Sequence, residues 1–465
     1  MFDPTYASIS ALRAAMERRE LSCRELTLFC LDRIARYDSC ENGLNAVRQI
    51  DPDVLAHAEE LDRRRAAGAV RSPLHGVPVL LKDNIDMTGL PTTAGAVALR
   101  DSFPARDAGL VRRLRAAGAL ILGKTNMSEM AHYMSSTQPS GCSGLGGQVR
   151  CPYDRAADPS GSSTGSAVAV AAGLCAAAVG TETCGSIMSP SSVNGVAGLK
   201  PTLGRVSRAG VLPISGTLDT PGPIARSAAD AALLLAGMAG RDEADPATWG
   251  AEGADELTCG GASLRGVRIG VSRDSQQEAA PARRAAGERV LEALRAAGAV
   301  CVELPAFRAE GDVMALMRWE MALAVDRYLA ALGPDRPVRT FETLLAWNRA
   351  HREAMPYGQD LLEQCDASRG LTAPDYLTAL ALRADTQARL RALLDEHRCT
   401  VMFSVAPRTV AALTGFPSLT IPAGTDERGM PVGSCFIARP WEDGALLRVG
   451  AALEQLLPPV APPVL

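Results

Sequence analysis

Two clusters of glycine and small hydroxyl residues lie on either side of an Ala/Val-rich segment in the first half of the chain. The first is DPSGSSTGS at residues 158–166, and the second is GTETCGSI at residues 180–187. Small residues let a backbone approach a substrate closely and aim several N–H groups at one point, as a developing oxyanion requires. The same residues also suit a bound phosphate, an ordinary loop or a helix cap. Other residues must therefore decide between acyl transfer and these alternatives.

A lysine follows an apolar run upstream of both clusters. The stretch LHGVPVLLKDN at residues 74–84 predicts a buried strand that ends at Lys82. Burial disfavours the charged ammonium and lowers the pKa of a lysine toward neutrality, so Lys82 could act as a general base. Alternation along the strand predicts that Asp83 points to the opposite face. None of the five histidines lies near either cluster in the sequence, which favours lysine as the base.

Together, the lysine and the two clusters resemble the amidase signature family of serine hydrolases. Lys82 matches the family's lysine, Ser162 its bridging serine and Ser186 its nucleophile. The 24 residues that separate the two serines also fit the family. The segments NGVAGLKPT at residues 194–202 and DTPGP at residues 219–223 look like those that follow the nucleophile there. Several separated motifs therefore occur in the family's order.

The resemblance runs from about residue 8 to about residue 456 and implies an α/β protein with the amidase-signature fold, a large mixed β-sheet core flanked by helices on both faces. In both halves of the chain, a segment with apolar residues at helical spacing is followed by a glycine and then by a predicted strand. This alternation is typical of α/β proteins. A polar stretch rich in Gly, Asp and Ala would by itself suggest a domain boundary near residue 250. The resemblance instead implies a single domain over residues 1–465. Its expected parts are N-terminal helices (about 8–70), a catalytic core (about 71–240), a surface linker (about 240–263) and a C-terminal part that completes the sheet and the substrate pocket (about 264–456).

The resemblance also implies a mechanism. Neutral Lys82 accepts a proton from Ser162, Ser162 accepts one from Ser186, and Ser186 attacks the substrate carbonyl. Ser162 then returns a proton to the leaving amine, and water hydrolyses the acyl-enzyme through the same relay. The family's bridging serine follows a cis peptide bond, so the Gly161–Ser162 bond is expected to be cis. The implied oxyanion hole consists of the backbone N–H groups of Thr183, Cys184, Gly185 and Ser186.

Residues beside this relay leave several roles open. Ser163 and Thr181 either hydrogen-bond within the relay or serve as a helix cap and a strand-end hydroxyl. The chain departs from the family's commonest pattern at Cys184 and at Met188, which stands where an arginine is frequent. Both changes make the region beside the nucleophile less polar, so the acyl part of the substrate stays undetermined.

Pocket walls are expected from two stretches. Residues 130–160 include a long aperiodic loop, and loops of that length inside compact domains are usually functional or disordered. Residues 310–365 are helical in pattern and contain four large apolar residues that either line an apolar site or, as helical spacing favours, belong to the core. These four are Met314, Met317, Trp319 and Met321.

Two other interpretations fit parts of the sequence. Residues 161–165 also satisfy Gly-x-Ser-x-Gly, which would make Ser163 the nucleophile of an α/β-hydrolase with His351 or His397 as its base. That motif requires a strand directly before it, whereas residues 151–159 are polar and turn-like. Alternatively, the loops bind an anion or a partner in a protein without catalytic activity.

We therefore expect an amidase that hydrolyses R–CO–NH2 or R–CO–NHR′ through Ser186. Alternatives within the family are an esterase or carbamate hydrolase and a glutamine amidotransferase subunit. Residues 180–183 and 206–215 look closer to the peptide-amidase-like branch than to that subunit. The expected partners are a small-molecule amide substrate and water, and the N-terminal helices could support a homodimer.

Composition limits the remaining classes of function. The 465 residues are 47% hydrophobic and 22% charged with a net charge of −4, which indicates a soluble globular protein without a nucleic-acid groove or a membrane surface. The first residues lack the basic and apolar regions of a signal peptide, so a cytoplasmic location is expected. The 12 cysteines are scattered and form no Cys-x-x-Cys pair, and the histidines show no ligand spacing, so neither a metal nor a cofactor is expected. Four cysteines are expected to be buried: Cys30, Cys175, Cys301 and Cys435.

Overall fold

A large β-sheet runs through the protein. The computed structural model describes residues 2–250, 256–277, 279–332, 336, 338–407 and 409–465. The strands are β1 (Val47–Ile50), β2 (Pro78–Lys82), β3 (Leu120–Thr125), β4 (Cys142–Ser143), β5 (Gly147–Gln148), β6 (Ala177–Glu182), β7 (Ala197–Lys200), β8 (Thr220–Ala225), β9 (Arg268–Ser272), β10 (Val300–Leu304), β11 (Val401–Ser404), β12 (Ser418–Thr425) and β13 (Pro431–Ile437). Eleven of them form one mixed sheet in the order β1-β3-β2-β6-β8-β7-β12-β13-β11-β9-β10, while β4 and β5 form a separate hairpin.

Helices connect and flank these strands. They are α1 (Ile9–Glu17), α2 (Cys23–Arg33), α3 (Val54–Ala66), α4 (Gly109–Ala116), α5 (Thr164–Ala171), α6 (Met188–Val193), α7 (Ala228–Met238), α8 (Arg273–Gln277), α9 (Pro281–Ala296), α10 (Val313–Ala331), α11 (Phe341–Ala350), α12 (Asp360–Ala367), α13 (Pro374–Glu396), α14 (Thr409–Thr414) and α15 (Asp443–Glu454). The expected α/β class with a large mixed sheet is confirmed. No helix in the described part of the chain is long and apolar enough to cross a membrane.

Local sequence signals explain several of these elements. Ser22 and Glu25 form a capping box at the start of α2, because each side chain accepts a backbone N–H of the other residue. The helix–glycine–strand pattern is confirmed twice, at α4, Gly118 and β3 and at α9, Gly298 and β10. Of the expected linker at about residues 240–263, residues 251–255 lie outside the described residues.

One of the four predictions of buried cysteines is wrong. Cys30, Cys175 and Cys435 are buried, whereas Cys301 is partly exposed. Cys301 lies on β10, the strand at the end of the sheet, and only β9 pairs with it among the described strands. An edge strand has one side without a neighbouring strand, which leaves its residues closer to solvent.

The direction of the strands brings the candidate residues together. Strands β2 and β6 are parallel, and Leu81 lies opposite Val179. Parallel strands end at the same edge of a sheet. The chain therefore leaves β2 at Lys82 and leaves β6 just before residues 183–187 on one edge.

Helix α5 returns to that edge. It precedes β6 in the chain, so its N-terminus lies where β6 ends, directly after Ser162 and Ser163. All eight residues of α5 are buried, and all are small or β-branched. At Gly165 an added Cβ would clash with the carbonyl oxygens of Ala46 and Asn126. The small residues of the first cluster therefore let this helix approach the sheet closely.

A second apolar cluster lies beside the main core. It joins α10–α13 to loops between residues 94 and 134 and to residues 212–218. Met317 and Met321 belong to it, as their helical spacing favoured, whereas Met314 is 46% exposed. Trp319 is partly buried against the same cluster. Cys184, in the segment that follows β6, also packs against this cluster.

We predict that Gly165→Ala lowers the free energy of unfolding by about 1–3 kcal/mol, because the new methyl group overpacks the contact between α5 and its neighbours. Equilibrium urea unfolding of the full chain measures this change. Gly260→Ala is the matched control, since nothing lies within 4 Å of a Cβ added there. Equal midpoints for the two variants would show that α5 moves away from Ala46 and Asn126 without strain.

Candidate active site

Lys82 is the buried centre of the site. Its side chain is 0% exposed, and its Nζ lies 2.7 Å from Ser162 Oγ and 3.1 Å from the carbonyl oxygen of Thr181. Burial lowers the pKa of Lys82 to about 7, while the carboxylates of Asp219 and Glu182 oppose that shift. A lysine in this environment can hold or release a proton near neutral pH, as the sequence predicted from the apolar strand.

Asp83 does not neutralise Lys82. It lies on the other side of the strand, as alternation predicted, and its carboxylate is 3.5 Å from Lys124 Nζ. Both side chains of this ion pair are buried, and Asp83 also accepts hydrogen bonds from Thr93. The charge of Asp83 is therefore compensated away from Ser162.

Ser162 and Ser163 occupy the turn before α5 and have different partners. The Gly161–Ser162 peptide bond is cis, the isomer that the resemblance implied. Ser162 is fully buried against Lys82. The hydroxyl of Ser163 instead donates to the carbonyl oxygen of Thr181 at 3.0 Å and accepts the Thr181 N–H at 3.2 Å. Ser163 caps neither α5 nor any other described helix with its side chain; it ties the turn to β6.

Ser186 lies next to this turn and is 8% exposed. Its carbonyl oxygen accepts the backbone N–H of Ser163 at 3.1 Å, which joins the two clusters. Both serine hydroxyls are within the described residues, and no hydrogen bond links Ser186 Oγ to Ser162 Oγ. Gly185 has φ +85°, a conformation that L side chains rarely adopt, so a glycine suits the turn that presents Ser186.

Two buried carboxylates hold the ends of the segment at residues 183–186. Glu182 accepts the N–H groups of Ile187 and Met188 at 2.8 and 3.0 Å. At the other end, the Thr183 hydroxyl donates to Asp219 at 2.6 Å. Between these anchors, the N–H groups of residues 183–186 have no acceptor among the described residues, and such N–H groups are available to a developing oxyanion.

Asp219 is itself fixed by the loop before β8. It accepts the N–H groups of Ile214 and Ser215 at 2.8 and 2.9 Å in addition to the Thr183 hydroxyl. Burial raises the pKa of Asp219 to about 6, and these three hydrogen bonds oppose that shift. Near Asp219, Thr181 Oγ1 accepts a hydrogen bond from Asn84 at 3.0 Å. The Thr181 hydroxyl thus connects the ends of β2 and β6 without contacting Ser162.

The alternative of an α/β-hydrolase site is not supported. Residues 151–160 form no strand before Gly161, and the Ser163 hydroxyl is engaged with the backbone of β6. His351 stacks on Trp347 and its Nδ1 lies 2.8 Å from the Trp347 carbonyl oxygen. The described contacts of His397 are made by its backbone and do not involve a serine.

A cavity of about 650 Å³ lies beside the site. Four residues of the site region are part of its lining: Asn84, Thr181, Thr183 and Asp219. Among the described lining residues, Ala131 comes from the expected wall at residues 130–160. The helical segment supplies Arg327, Tyr328, Ala331 and Leu332. The four apolar residues that the sequence suggested as possible lining do not line the cavity; these are Met314, Met317, Trp319 and Met321. Residues 104–107 and 208–216 form much of the wall instead, and no sequence pattern indicated them.

Comparison with known proteins identifies the family. The sequence model named Amidase matches residues 25–447, which is most of the chain. The protein belongs to the amidase family. The amidase fold is also seen in the crystal structure of a native peptide amidase from Stenotrophomonas maltophilia, which is 39% identical, covers 99% of both chains and superposes with a TM-score of 0.92. This likeness places the chain in the peptide-amidase-like branch.

Two sequence relatives show the breadth of the amidase family. A protein named "probable amidase" from Arabidopsis thaliana is 35% identical over 97% of this chain and 90% of its own length. A glutamyl-tRNA(Gln) amidotransferase subunit from Salinispora tropica is 35% identical over the full length of both chains. Family membership therefore supports an amidase-family hydrolase. It does not identify the substrate, which has to be inferred from the residues of the site.

Sequence reasoning missed Lys124 and Lys200. The amidase has three lysines among its 48 basic residues, and all three are at most 1% exposed. Lys200 donates to the carbonyl oxygen of Pro201 at 3.0 Å. Burial lowers the pKa of Lys200 to about 8, and the nearby carboxylates of Glu182 and Asp443 oppose that shift. The scarcity of lysine was a signal that could have drawn attention to each of them.

This scarcity makes the pKa of Lys82 directly measurable. Protein labelled with 15N and 13C only in lysine should give three side-chain signals in NMR spectra, which Lys82→Met and Lys200→Met assign. We expect the Lys82 signal to titrate near pH 7 and the Lys200 signal near pH 8, because burial disfavours both ammonium forms. A Lys82 signal that titrates at the ordinary lysine value would contradict the proposed burial effect.

Proposed function

We propose that this protein hydrolyses carboxamides, R–CO–NH2 or R–CO–NHR′, through an acyl-enzyme on Ser186. The observation that supports this most is the 2.7 Å contact between Ser162 Oγ and the Nζ of a buried lysine whose pKa lies at about 7. A base with a pKa near the working pH is well suited to accept and return a proton. Family membership supports the class of reaction, and this contact supports Lys82 as its base.

The proposed reaction begins with proton transfer along the three residues. Neutral Lys82 accepts the proton of Ser162, and Ser162 accepts the proton of Ser186 once the Ser186 hydroxyl rotates toward it. Ser186 Oγ then attacks the substrate carbonyl carbon. The free N–H groups of residues 183–186 are the proposed oxyanion hole, and each well-aimed donor of this kind contributes about 2.7–4 kcal/mol in other hydrolases.

Collapse of the tetrahedral intermediate completes the first half of the reaction. The C–N bond breaks, Ser162 gives a proton to the leaving nitrogen, and the acyl group stays on Ser186. Lys82 then returns its proton to Ser162. Water attacks the ester carbonyl carbon and gives up one proton, which passes through Ser162 to Lys82. The bond between the acyl carbon and Ser186 Oγ breaks, Ser186 Oγ takes that proton back through Ser162, and the carboxylic acid leaves.

A short peptide with a C-terminal carboxamide is the first substrate class to test. The structural likeness to a peptide amidase supports it, and a cavity of about 650 Å³ is within the usual range for a small-molecule site. An ester or carbamate would use the same acyl-enzyme. The sequence likeness to an amidotransferase component favours a second candidate, a glutamine-hydrolysing subunit that works with partner proteins.

We expect the purified chain alone to release ammonia from an N-acyl dipeptide amide. Ser186→Ala, Ser162→Ala and Lys82→Met should each reduce kcat by about 10³-fold or more. The three residues act as one unit, so the loss of any one of them removes most of the rate enhancement that they provide together. Ammonia release under saturating substrate measures this. Activity that appears only after partner proteins are added would favour the amidotransferase function instead.

A fluorophosphonate probe distinguishes the nucleophile. Intact mass and peptide mapping should locate one adduct on Ser186 in the wild type and none in Ser186→Ala. Ser163→Ala is the control, and it should still be labelled because the Ser163 hydroxyl bonds the β6 backbone. An adduct on Ser163 would contradict the proposal.

The pH dependence of kcat/KM should follow the protonation of Lys82. Acid protonates the base, so kcat/KM should rise by about tenfold per pH unit below the pKa and level off above it. The midpoint is expected near pH 7. Asp219→Asn removes a negative charge that favours the ammonium form, so it should move the midpoint to lower pH. A profile without an acid limb near pH 7, or an unmoved midpoint in the variant, would count against Lys82 as the base.

A further inference from the structure

Two exposed arginines, Arg106 and Arg327, line the cavity of about 650 Å³. Neither guanidinium group forms a hydrogen bond or an ion pair with any residue that the structure describes. Two guanidinium groups in one cavity without a carboxylate partner leave positive charge available to a ligand.

The other charged groups of the cavity are already engaged. Asp245 pairs with Arg208 at 2.7 Å, and Asp107 pairs with Arg115 at 3.0 Å. The remaining contacts are Arg112 to Asp242 at 3.4 Å and Asp219 to Thr183 at 2.6 Å. The two carboxylates of the described lining that have no ion-pair partner, Asp86 and Asp219, are buried, so the exposed and unpaired charge of this lining is that of the two arginines.

Both arginines lie near one contact that joins α10 to the segment after β2. Tyr328, which follows Arg327 on α10, donates to Asp86 Oδ1 at 2.6 Å. Burial raises the pKa of this Asp86 carboxyl, and the positive charge of Arg106 opposes that shift. Asp86 is 6% exposed and accepts the Tyr328 hydroxyl, and no hydrogen bond or ion pair among the described residues joins its carboxylate to either guanidinium group.

A second contact joins the chain after α10 to the loop that precedes Arg106. Arg336, after α10, donates to the carbonyl oxygens of Asp101 and Phe103. The Ala108 N–H also donates to the Asp86 carbonyl oxygen at 2.9 Å. Asp86 therefore contacts both the loop that carries Arg106 and, through Tyr328, the helix that carries Arg327. The two guanidinium groups are thus presented by walls that are held together.

The cavity lining also contains apolar residues. These include Val211, Leu212 and Ile214, and Ile214 is adjacent to the Asp219 anchor through its N–H. A substrate would place its amide at the inner end near Thr183, its acyl chain along this apolar wall and its far end at the arginines. Guanidinium groups bind carboxylates through planar, paired hydrogen bonds.

We propose that Arg106 and Arg327 bind an anionic group, a carboxylate in the first instance, at the end of the acyl part farthest from the scissile amide. This inference rests on the proposed function for its assignment of the reacting end. It names the substrate class as amides whose acyl part ends in a negative charge. A cationic group at the same position is disfavoured.

Three matched ligands test this: alanyl-alaninamide carrying an N-succinyl, an N-butanoyl or an N-(4-aminobutanoyl) group. They have acyl groups of the same chain length and differ in the charge at the far end. Calorimetry on Ser186→Ala measures their Kd values without turnover, and ammonia release by the wild type measures kcat/KM. We expect the succinyl ligand to bind about tenfold more tightly than the butanoyl ligand at low salt, because a hydrogen bond to a charged group stabilises a complex by about that factor. The 4-aminobutanoyl ligand should bind least tightly.

The double variant Arg106→Gln/Arg327→Gln should remove the succinyl preference and leave the Kd of the butanoyl ligand unchanged. Arg36→Gln/Arg100→Gln is the control, because it removes two charges from exposed arginines that do not line the cavity. The preference should also weaken at high salt, where exposed charges are screened.

Equal Kd values for the succinyl and butanoyl ligands, or a succinyl preference that the double variant keeps, would overturn the inference. Failure of the proposed function gives a different result. In that case the wild type releases no ammonia from any of the three ligands, while the Kd comparison on Ser186→Ala still decides whether the two arginines select an anion.

Discussion

The burial of one ammonium group is the constraint on which the rest of the site depends. Lys82 is fully enclosed at the end of β2, and its Nζ has a serine hydroxyl and a backbone carbonyl oxygen as partners. Desolvation alone would push its pKa lower, and the carboxylates of Asp219 and Glu182 limit that shift. A pKa of about 7 is thus a balance between the desolvation of the ammonium group and two negative charges.

The same two carboxylates also shape the backbone of the proposed oxyanion hole. Glu182 accepts two N–H groups after Ser186, and Asp219 holds the hydroxyl of Thr183 before it. Such bonds satisfy buried charges that would otherwise destabilise the fold. They also fix both ends of the segment at residues 183–186, so its N–H groups need no reorganisation to meet a developing charge. Tuning of the proposed base and shaping of the proposed oxyanion hole are therefore physically linked.

Local patterns in the sequence predicted the parts of the site that depend on local structure. The apolar run before Lys82 predicted a buried strand, and the small residues around Ser162 allow a helix that packs closely on the sheet. Asp219 and Lys200 were not recognised, because their roles arise from contacts across the sheet that no periodicity encodes. The sequence predicted only part of the cavity lining. The wall at residues 208–216 consists of a loop whose path depends on Asp219 and on tertiary packing.

The choice between lysine and arginine follows the same physics. Lysine can lose its proton when it is buried, whereas arginine stays charged in proteins. All three lysines of the chain are buried, and arginine supplies every other basic side chain, including both free groups of the cavity. The base of the proposed reaction therefore titrates near neutral pH, while Arg106 and Arg327 keep their charge there. A change of pH around neutrality acts on the proton-accepting end of the site and leaves the charge at the other end of the cavity unchanged.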